Sequence, residues 1–281
     1  MKSKKILTMS IVFFLFLLGW MVYQNKALGI TEYQIDCSSH SGLDGFTIVQ
    51  ISDFHNEEFG KNQQKMIEKV KKCNPDMIAI TGDFIDCRTS NVEIAMEFIT
   101  GAVEIADVYY VPGNHERWVQ KEYKKLCQQM SEEGVHLIAN HVETVSYNGE
   151  KILCIGIEDP DFYDAIGADA KKENARSNIE KLQYTEEDFS LLLSHRPELF
   201  DIYVEEKVDV VLTGHAHGGQ FRLPLIGGLA APNQGLFPKY DSGIFVEDAT
   251  HMIVSRGIGN SIIPLRINNP PEIVVVKLTA K

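Results

Sequence analysis

Apolar residues along the chain occur in two patterns: short continuous runs, and longer stretches in which they recur every three or four positions. Continuous runs bounded by turn residues are typical of buried strands, and the longer recurrence is typical of amphipathic helices. The runs predict strands at residues 46–51, 77–81, 108–111, 151–157, 189–194, 208–213, 243–246, 251–254 and 273–278. The stretches predict helices at residues 61–73, 92–105 and 121–133. This alternation of strands and helices predicts a parallel α/β core within one domain.

The first residues form a separate pattern, because residues 6–23 contain no charged residue and follow three lysines. A helix over this run is about 27 Å long, close to the ~30 Å hydrocarbon core of a bilayer. Trp20 and Tyr23 lie at its far end, where aromatic side chains favour the interface, and the lysines favour an N-terminus on the inside. We therefore predict a single-pass cell-membrane anchor at residues 1–29 and an extracytoplasmic domain at residues 30–281. The alternative is a cleaved signal peptide, although the apolar run is longer than the ~7–15 residues expected of one.

The charge of the chain restricts its partners. The net charge is -12, and because the first 29 residues carry four lysines and no acid, the remainder holds 23 basic against 39 acidic residues, a net -16. A body of this charge repels nucleic acid phosphates, so we expect no nucleic acid partner, and we expect a monomer. The five cysteines follow no regular spacing, which predicts unpaired thiols rather than a disulfide framework.

Residues with metal-binding side chains follow five of the predicted strands. They are found in Asp53-Phe54-His55, Gly82-Asp83-Phe84-Ile85-Asp86, Gly113-Asn114-His115-Glu116, His195 and Gly214-His215-Ala216-His217. Because the carboxyl ends of parallel strands meet in one crevice, we expect these side chains to lie together. Carboxylate, amide and imidazole donors suit manganese, iron or zinc, and suit neither calcium nor a thiolate zinc site. A carboxylate shared by two ions holds them about 3.5–4 Å apart, a spacing used for phosphoryl displacement.

This ordered set of motifs resembles the five blocks of the calcineurin-like metallophosphoesterase superfamily, over residues 53–217. The resemblance implies a four-layer αββα sandwich, in which two central mixed sheets are flanked by helices. It implies one metal held by Asp53, His55 and His217, a second held by Asn114, His195 and His215, and a bridge formed by Asp83. It also implies that His115 protonates the leaving group, and that Asp86 orients His115 and raises its pKa.

Later motifs resemble a bacterial cell-envelope subgroup, some relatives of which cleave the pyrophosphate of UDP-diacylglucosamine. These motifs are Gly218-Gly219-Gln220-Phe221-Arg222-Leu223-Pro224, Ser255-Arg256-Gly257-Ile258-Gly259, Pro264-Leu265-Arg266 and Asn269-Pro270-Pro271-Glu272-Ile273. Arg222 and Arg266 are candidates for binding substrate phosphate, because a guanidinium group matches phosphate oxygens. The alternative for each is a surface ion pair. Lys239 and Tyr240 are further candidates.

Together these features predict a two-metal phosphoesterase that hydrolyses a phosphomonoester, phosphodiester or pyrophosphate, with a metal-bridging hydroxide as nucleophile. We expect manganese, with iron or zinc as alternatives, because the same ligands accept all three. The expected substrate is a small-molecule or lipid-linked phosphate ester. Two other functions use the same motifs: an inactive metal-binding scaffold and a nucleotide or nucleic acid phosphodiesterase. The intact ligand set and His115 favour the enzyme over the scaffold, and the acidic body disfavours a nucleic acid substrate.

Overall fold

The structure is a computed structural model that describes residues 2–163, 167–182, 187–260 and 264–280. Met1, the first residue of the predicted anchor, and Lys281, the last residue of the predicted domain, lie outside the described residues. The described chain begins with helix α1 (Lys2–Lys26), which is long and apolar enough to cross a membrane. No part of its apolar window is buried against the rest of the protein. The predicted N-terminal helix is therefore present, and it offers its apolar surface to the surroundings.

The remaining elements form two sheets and the helices that cover them. The helices are α2 (Gln64–Lys72), α3 (Val92–Ala102), α4 (Asn114–Trp118), α5 (Gln120–Glu132), α6 (Ala168–Lys181) and α7 (Phe200–Glu205). The strands are β1 (Gly29–Asp36), β2 (Thr47–Ile51), β3 (Met77–Thr81), β4 (Asp107–Val111), β5 (His136–Leu137), β6 (His141–Tyr147), β7 (Glu150–Gly156), β8 (Phe189–Leu193), β9 (Val210–Thr213), β10 (Arg222–Leu223), β11 (Gly227–Gly228), β12 (Ala230–Ala231), β13 (Gly235–Leu236), β14 (Gly243–Glu247), β15 (Thr250–Val254) and β16 (Glu272–Thr279). The short strands β10 to β13 form two small hairpins outside the main sheets.

Each main sheet has six strands and mixed pairing. The first has the order β1-β16-β2-β3-β4-β5, in which β2 to β5 are parallel and β16 runs antiparallel to β2. The second has the order β14-β15-β9-β8-β7-β6, in which the four central strands are parallel and the two edge strands are antiparallel. The predicted parallel core is thus present twice, and each sheet carries antiparallel additions that the pattern of apolar runs does not reveal.

Alternation along the strands places one apolar face of each sheet against the other sheet. In β2, Ile48 packs between the two sheets, whereas Val49 and Ile51 pack against the helices on the outer face. Helices α2, α3 and α5 cover the first sheet, and α6 and α7 cover the second. Three apolar cores therefore separate four layers, and the predicted αββα sandwich is confirmed.

The predicted strands agree with the structure to within about two residues, and a tight turn at Asp248 and Ala249 joins β14 to β15. The helix expected at 61–73 begins only at Gln64, because Gln63 has a left-handed backbone with φ 55°. Strand β1 was missed because its side chains alternate in burial and half of them are polar. Helix α6 was missed because only Ala175 and Ile179 of its residues are buried.

The sheet register also places α1 relative to the strand ends. Strand β16 begins beside the end of β2, with Val274 opposite Gln50, and β1 begins beside the start of β16, with Ile30 opposite Ile273. The chain that follows α1 therefore enters the body at the edge of the first sheet where β2, β3 and β4 end. That edge carries the predicted metal ligands.

Candidate metal centre

The loops after β2, β3, β4, β8 and β9 bring the seven predicted ligands together in the interior of the protein. All seven are buried: Asp53, His55, Asp83, Asn114, His195, His215 and His217. Their carboxylate and imidazole atoms form two groups, within each of which every pair of ligand atoms lies within 4.8 Å. The first group is Asp53, His55, Asp83 and His217, and the second is Asp83, His195 and His215. Asp83 belongs to both groups.

Asn114 lies beside the second group and lines the same cavity as Asp83 and His215. Its side-chain oxygen Oδ1 is buried and has no hydrogen-bond donor in the described structure. A buried amide oxygen without a donor is costly, and a cation satisfies it. The amide oxygen therefore fits the ligand role that the sequence predicts.

The spacing of the ligand atoms fits metal ions. His217 Nε2 lies 3.3 Å from His55 Nε2 and 3.3 Å from Asp53 Oδ1. In the second group, His195 Nε2 lies 3.1 Å from His215 Nδ1 and 3.3 Å from Asp83 Oδ2. Two ligand atoms that each lie about 2.1 Å from one ion, at angles of 90–110°, are separated by about 3.0–3.4 Å. The cluster therefore has the spacing and the nitrogen and oxygen donors of a divalent-metal site.

Burial and mutual charge set the protonation of these ligands. Burial lowers the pKa of His55 to about 3 and holds the pKa values of His215 and His217 well below the usual range. Burial alone would also lower the pKa of His195, but the nearby Asp83 carboxylate raises it to about 10. Three of the imidazoles are therefore neutral at pH 7, the form that binds metal, and His195 gives up a proton when a metal replaces it.

The backbone at these ligands is strained. Positive φ angles, which are uncommon for residues other than glycine, occur at Asp53, His55, Asp83, His215 and His217. Such conformations cost about 1–3 kcal/mol each and persist only where neighbouring groups fix them. The loops that carry the ligands are therefore held in place by other residues.

Glu116 fixes the loops after β3 and β4. Its side chain is fully buried, and its Oε1 accepts hydrogen bonds from the backbone N–H groups of Phe84 at 2.7 Å and Ile85 at 3.0 Å. Its Oε2 accepts from the N–H groups of Asp83 at 3.0 Å and Gly113 at 2.8 Å. Sequence reasoning included Glu116 in a motif but assigned it no function, since these partners become neighbours only in the folded protein.

The glycines before the ligands allow close approach of the backbone. A Cβ atom at Gly113 would overlap the Asp83 carboxylate, and a Cβ at Gly214 would overlap Ser52 Oγ and Asp53 Oδ2. The space freed by Gly214 allows Asp53 to accept a hydrogen bond from the His215 N–H at 3.1 Å. Both glycines are therefore required by the packing of the site.

His115 lies in the same cavity, at the start of α4, but its contact with Asp86 differs from the prediction. Asp86 Oδ2 is 3.8 Å from His115 Nδ1, which is too far for a hydrogen bond, and it is 3.7 Å from His55 Nδ1. His115 Nδ1 instead accepts a hydrogen bond from the Cys87 N–H at 3.1 Å. Asp86 turns back to accept from the N–H of Arg88 at 2.8 Å. Asp86 therefore does not orient the His115 ring through a hydrogen bond, which corrects the predicted pairing.

The two predicted phosphate-binding arginines lie outside the metal cavity. Arg266 is completely buried, and its guanidinium donates to the carbonyl oxygens of Arg256 and Gly259. Arg222 is half-buried and pairs with Asp241 at 3.0 Å, the ion pair that was the alternative for it. Contact of Arg266 with a substrate is not compatible with this burial, because the side chain has no accessible surface. Lys239 lies over the ring of its neighbour Tyr240, away from the residues that line the metal cavity.

Arg196, which sequence reasoning missed, is the cation nearest to the second group of ligands. It is buried, with Nη1 2.9 Å from His215 Nε2 and Nη2 donating to Asp159 Oδ1 at 2.8 Å. Asn233 approaches the same His215 Nε2 to 3.0 Å. The sequence gives no signal for this arrangement, because Asp159 and Asn233 lie far from Arg196 along the chain.

The metal cavity is small and adjoins a second cavity. It has a volume of about 120 Å³ and is lined by Asp83, Asn114, His115, Trp118, Asp161, Arg196, His215, His217, Pro232 and Asn233. A second cavity of about 250 Å³ shares Arg196 and Asn233 with it. Trp118, which is 55% exposed, stands at the rim with its ring 5.0 Å from that of His115. The metal cavity has room for a phosphate group, and the remainder of a substrate must extend into the adjoining space.

Comparison with known proteins was made for both sequence and structure. The sequence profile of the family described as "Calcineurin-like phosphoesterase" matches residues 46–219. The uncharacterized metallophosphoesterase YkuE of Bacillus subtilis (strain 168) is 30% identical over 261 residues, which cover 88% of this chain and 84% of that protein. Phosphodiesterase YaeI of Escherichia coli (strain K12) is 26% identical over 73% of this chain and 70% of that protein.

Two further similarities concern a eukaryotic protein and a crystal structure. A Danio rerio protein named "Transmembrane protein with metallophosphoesterase domain" is 27% identical over 84% of this chain and 54% of its own length. The crystal structure of the Thermus thermophilus protein TT1561 superposes with a TM-score of 0.47 at 13% identity, covering 76% of this chain and 90% of that one.

Proposed function

The chain belongs to the calcineurin-like phosphoesterase family and is a metal-dependent phosphoester hydrolase, and from this premise we propose that it uses two divalent cations to hydrolyse a phosphate ester at a cell-membrane surface. The observation that carries the proposal is the pair of buried ligand groups that share Asp83. A single ion would need only one of these groups. Two groups joined by one carboxylate are the arrangement expected for a pair of ions.

We assign the ligands to two ions, for which manganese is the proposed metal. Asp53, His55 and His217 hold one ion, Asn114, His195 and His215 hold the other, and Asp83 is shared. When bound, the ions supply positive charge at the phosphate and lower the pKa of water, so that attack on phosphorus proceeds at neutral pH. Arg196 adds a cation that is fixed by Asp159 next to this cavity.

His115 supplies the proton for the leaving oxygen. Because Nδ1 accepts a hydrogen bond from the Cys87 N–H, the proton of the neutral ring lies on Nε2. Nε2 is 3.8 Å from Asp83 Oδ2 and lines the metal cavity. When the ester bond breaks, the leaving oxygen takes the Nε2 proton from the doubly protonated ring, a form in which Nδ1 also carries a proton and no longer accepts the hydrogen bond from Cys87. Hydrolysis consumes one water and returns that proton to the ring.

The substrate class follows from the surroundings of the cavity. The space beyond the metal cavity is lined by both charged and apolar residues, including Lys171, Lys172, Leu199 and Ala168. This mixture suits a small-molecule or lipid-linked phosphate ester. Helix α1 and the lysines before its apolar run support a single-pass anchor with the catalytic body outside the cytoplasm. The net charge of -16 on the body disfavours nucleic acid.

The experiment uses the full-length protein, loaded with manganese in detergent, and two soluble substrates: p-nitrophenyl phosphate and bis(p-nitrophenyl) phosphate. We expect hydrolysis of at least one, and a loss of about 10²–10⁴-fold in kcat for His115→Ala with the metal content unchanged. His251→Ala, a histidine in β15 outside the ligand groups, is the matched control and should keep full activity. Full activity of His115→Ala, or no hydrolysis of any monoester, diester or nucleotide sugar, would contradict the proposal.

A further inference from the structure

The hairpin formed by β10 and β11 exposes large apolar side chains on the surface of the protein. Leu225 and Ile226 at its tip are 107% and 63% exposed. In the neighbouring hairpin of β12 and β13, Leu236 and Phe237 are 71% and 59% exposed. Water-exposed apolar clusters of this kind mark contact surfaces in soluble domains. We call these four residues, with Leu223, the apolar rim.

Two residues of the apolar rim also have an unfavourable backbone. Leu225 has φ 68° and Phe237 has φ 54°, in the left-handed region where glycine or asparagine is favoured. A large apolar residue at such a position destabilises the folded state in two ways, because its backbone is strained and its side chain faces water. Folding alone would be served better by glycine at both positions. A contact outside the described chain explains why these residues are apolar.

The β10–β11 hairpin of the apolar rim contacts the segment that holds the end of α1. In the last turn of α1, the Asn25 side chain accepts a hydrogen bond from the Arg266 N–H at 2.9 Å and donates to the Arg266 carbonyl at 3.3 Å. The next residue, Ile267, accepts a hydrogen bond from the Arg222 N–H at 2.9 Å. Arg222 begins β10, and Leu225 follows it by three residues in the turn of the hairpin. The hairpin is therefore attached to the end of the membrane helix.

The charge of this face suits a lipid surface. The body as a whole is strongly acidic, yet no Asp or Glu occurs between Asp209 and Asp241, or between Asp248 and Glu272. These two segments carry the apolar rim and the junction with α1. Two acids that contact this region are each paired with a base: Asp241 with Arg222 of the hairpin, and Glu57 with Lys26 at the end of α1. Anionic lipid would repel the rest of the body but not this face.

We propose that the apolar rim inserts into the surface of the same bilayer that α1 spans, and so holds the metal centre against the membrane. The occupant of this surface is lipid, because the helix that delivers the chain to the membrane ends beside it. Apolar tips at the depth of the headgroups, with the exposed Lys239 close to them along the chain, are the composition expected of an interfacial contact.

This docking has a consequence for the substrate, which rests on the function proposed above. The β10–β11 hairpin follows directly after His217, and Pro232 and Asn233 of the next hairpin line the metal cavity. The apolar rim and the metal centre are therefore connected through one short segment. The metal centre could then reach a phosphate at the level of the lipid headgroups while the protein stays on the membrane. The apolar rim would not help the metal centre to reach a phosphate in solution.

The test measures contact of single tryptophans with lipid in full-length protein, reconstituted in nanodiscs of phosphatidylethanolamine and phosphatidylglycerol. The two native tryptophans are first replaced by Trp20→Phe and Trp118→Phe. We expect acyl-chain-brominated lipids to quench Ile226→Trp about twofold relative to ordinary lipids, because the indole lies at the interface. Ser146→Trp is the matched control and should not be quenched. Ser146 is exposed on β6, the edge strand of the second sheet that lies farthest from β14.

A second variant keeps the test independent of folding. Leu225→Asn with Phe237→Asn suits the left-handed backbone, so it should raise or preserve the melting temperature while it abolishes quenching of Ile226→Trp. Equal quenching at the rim and at Ser146→Trp would overturn the proposal. So would a blue shift at Ile226→Trp that brominated lipid does not quench, because that result indicates a protein partner. Hydrolysis of soluble p-nitrophenyl phosphate, measured in the same nanodiscs with Trp118 retained, tests the proposed function separately, since quenching does not require activity.

Discussion

Replacement of Glu116 by glutamine tests whether one buried carboxylate holds the ligand loops. The carboxylate accepts four backbone hydrogen bonds, two on each oxygen, from the loops after β3 and β4. In Glu116→Gln the side chain keeps its shape, but one oxygen becomes an amide NH₂ group. Whichever way the amide turns, two backbone N–H groups then face a donor instead of an acceptor.

The magnitude follows from those two lost hydrogen bonds. Each buried N–H group that loses its acceptor costs about 1–3 kcal/mol, so we expect Glu116→Gln to lower the free energy of unfolding by about 2–6 kcal/mol. In a domain of this size 1 kcal/mol corresponds to about 2–4 °C, which gives a decrease in melting temperature of about 4–24 °C. The same substitution at an exposed glutamate removes no buried acceptor and should change the melting temperature by about 1 °C or less.

The assay is thermal unfolding of the full-length protein in detergent, followed by near-ultraviolet circular dichroism after removal of metal. Working without metal separates the stability of the loops from the affinity of the site. Glu97→Gln, on the exposed face of α3, is the matched control. Equal melting temperatures for Glu116→Gln and Glu97→Gln would refute the reasoning, because the four hydrogen bonds would then carry no net stability.

Three other predictions concern the ligands, the buried cation and the thiols. Asp83→Asn should lower the metal content measured by mass spectrometry from two ions per chain to one or none, and retention of both would disprove a shared ligand. Arg196→Met leaves the buried Asp159 without its ion pair, so the melting temperature should fall by about 6–20 °C, whereas Arg117→Met should have little effect. Burial raises the pKa of Cys127 to about 11, so alkylation at pH 8 should be slow and should accelerate about tenfold per pH unit up to pH 10. Labelling of Cys127 at pH 8 as fast as a free thiol in solution would contradict that environment.

The ligand positions could be predicted because their determinants are local. Each ligand follows directly after an apolar strand, and parallel strands end at one edge of a sheet, so position in the sequence determines position in space. The structure brings Asp53, His55, Asp83 and His217 within ligand distance of one another, as this reasoning requires. The same locality explains why most strand boundaries were correct to about two residues.

The remaining features of the site depend on contacts between distant loops, for which the sequence has no periodic signal. The pair of Arg196 and Asp159 joins the loops after β8 and β7, and the pair of Asn25 and Arg266 joins the first helix to a loop near the other end of the chain. An arginine that binds backbone carbonyls and one that binds phosphate look the same in a sequence. Arg266 was therefore assigned to the substrate, although its guanidinium in fact holds the loop behind the metal centre.

The strain and burial of the ligands explain why so much of the fold serves to support the site. Asp53 and Asp83 are charged, deeply buried and left-handed in backbone, a combination that is unfavourable until cations neutralise it. Glu116 fixes one side of the site through four N–H groups, and on the other side Asn269 donates to the carbonyl of His217 at 2.7 Å. These supports come from the chain after β4 and from the chain before β16, so the geometry of the site depends on the packing of both segments. We therefore expect bound metal to stabilise a geometry that the packing of these two segments defines.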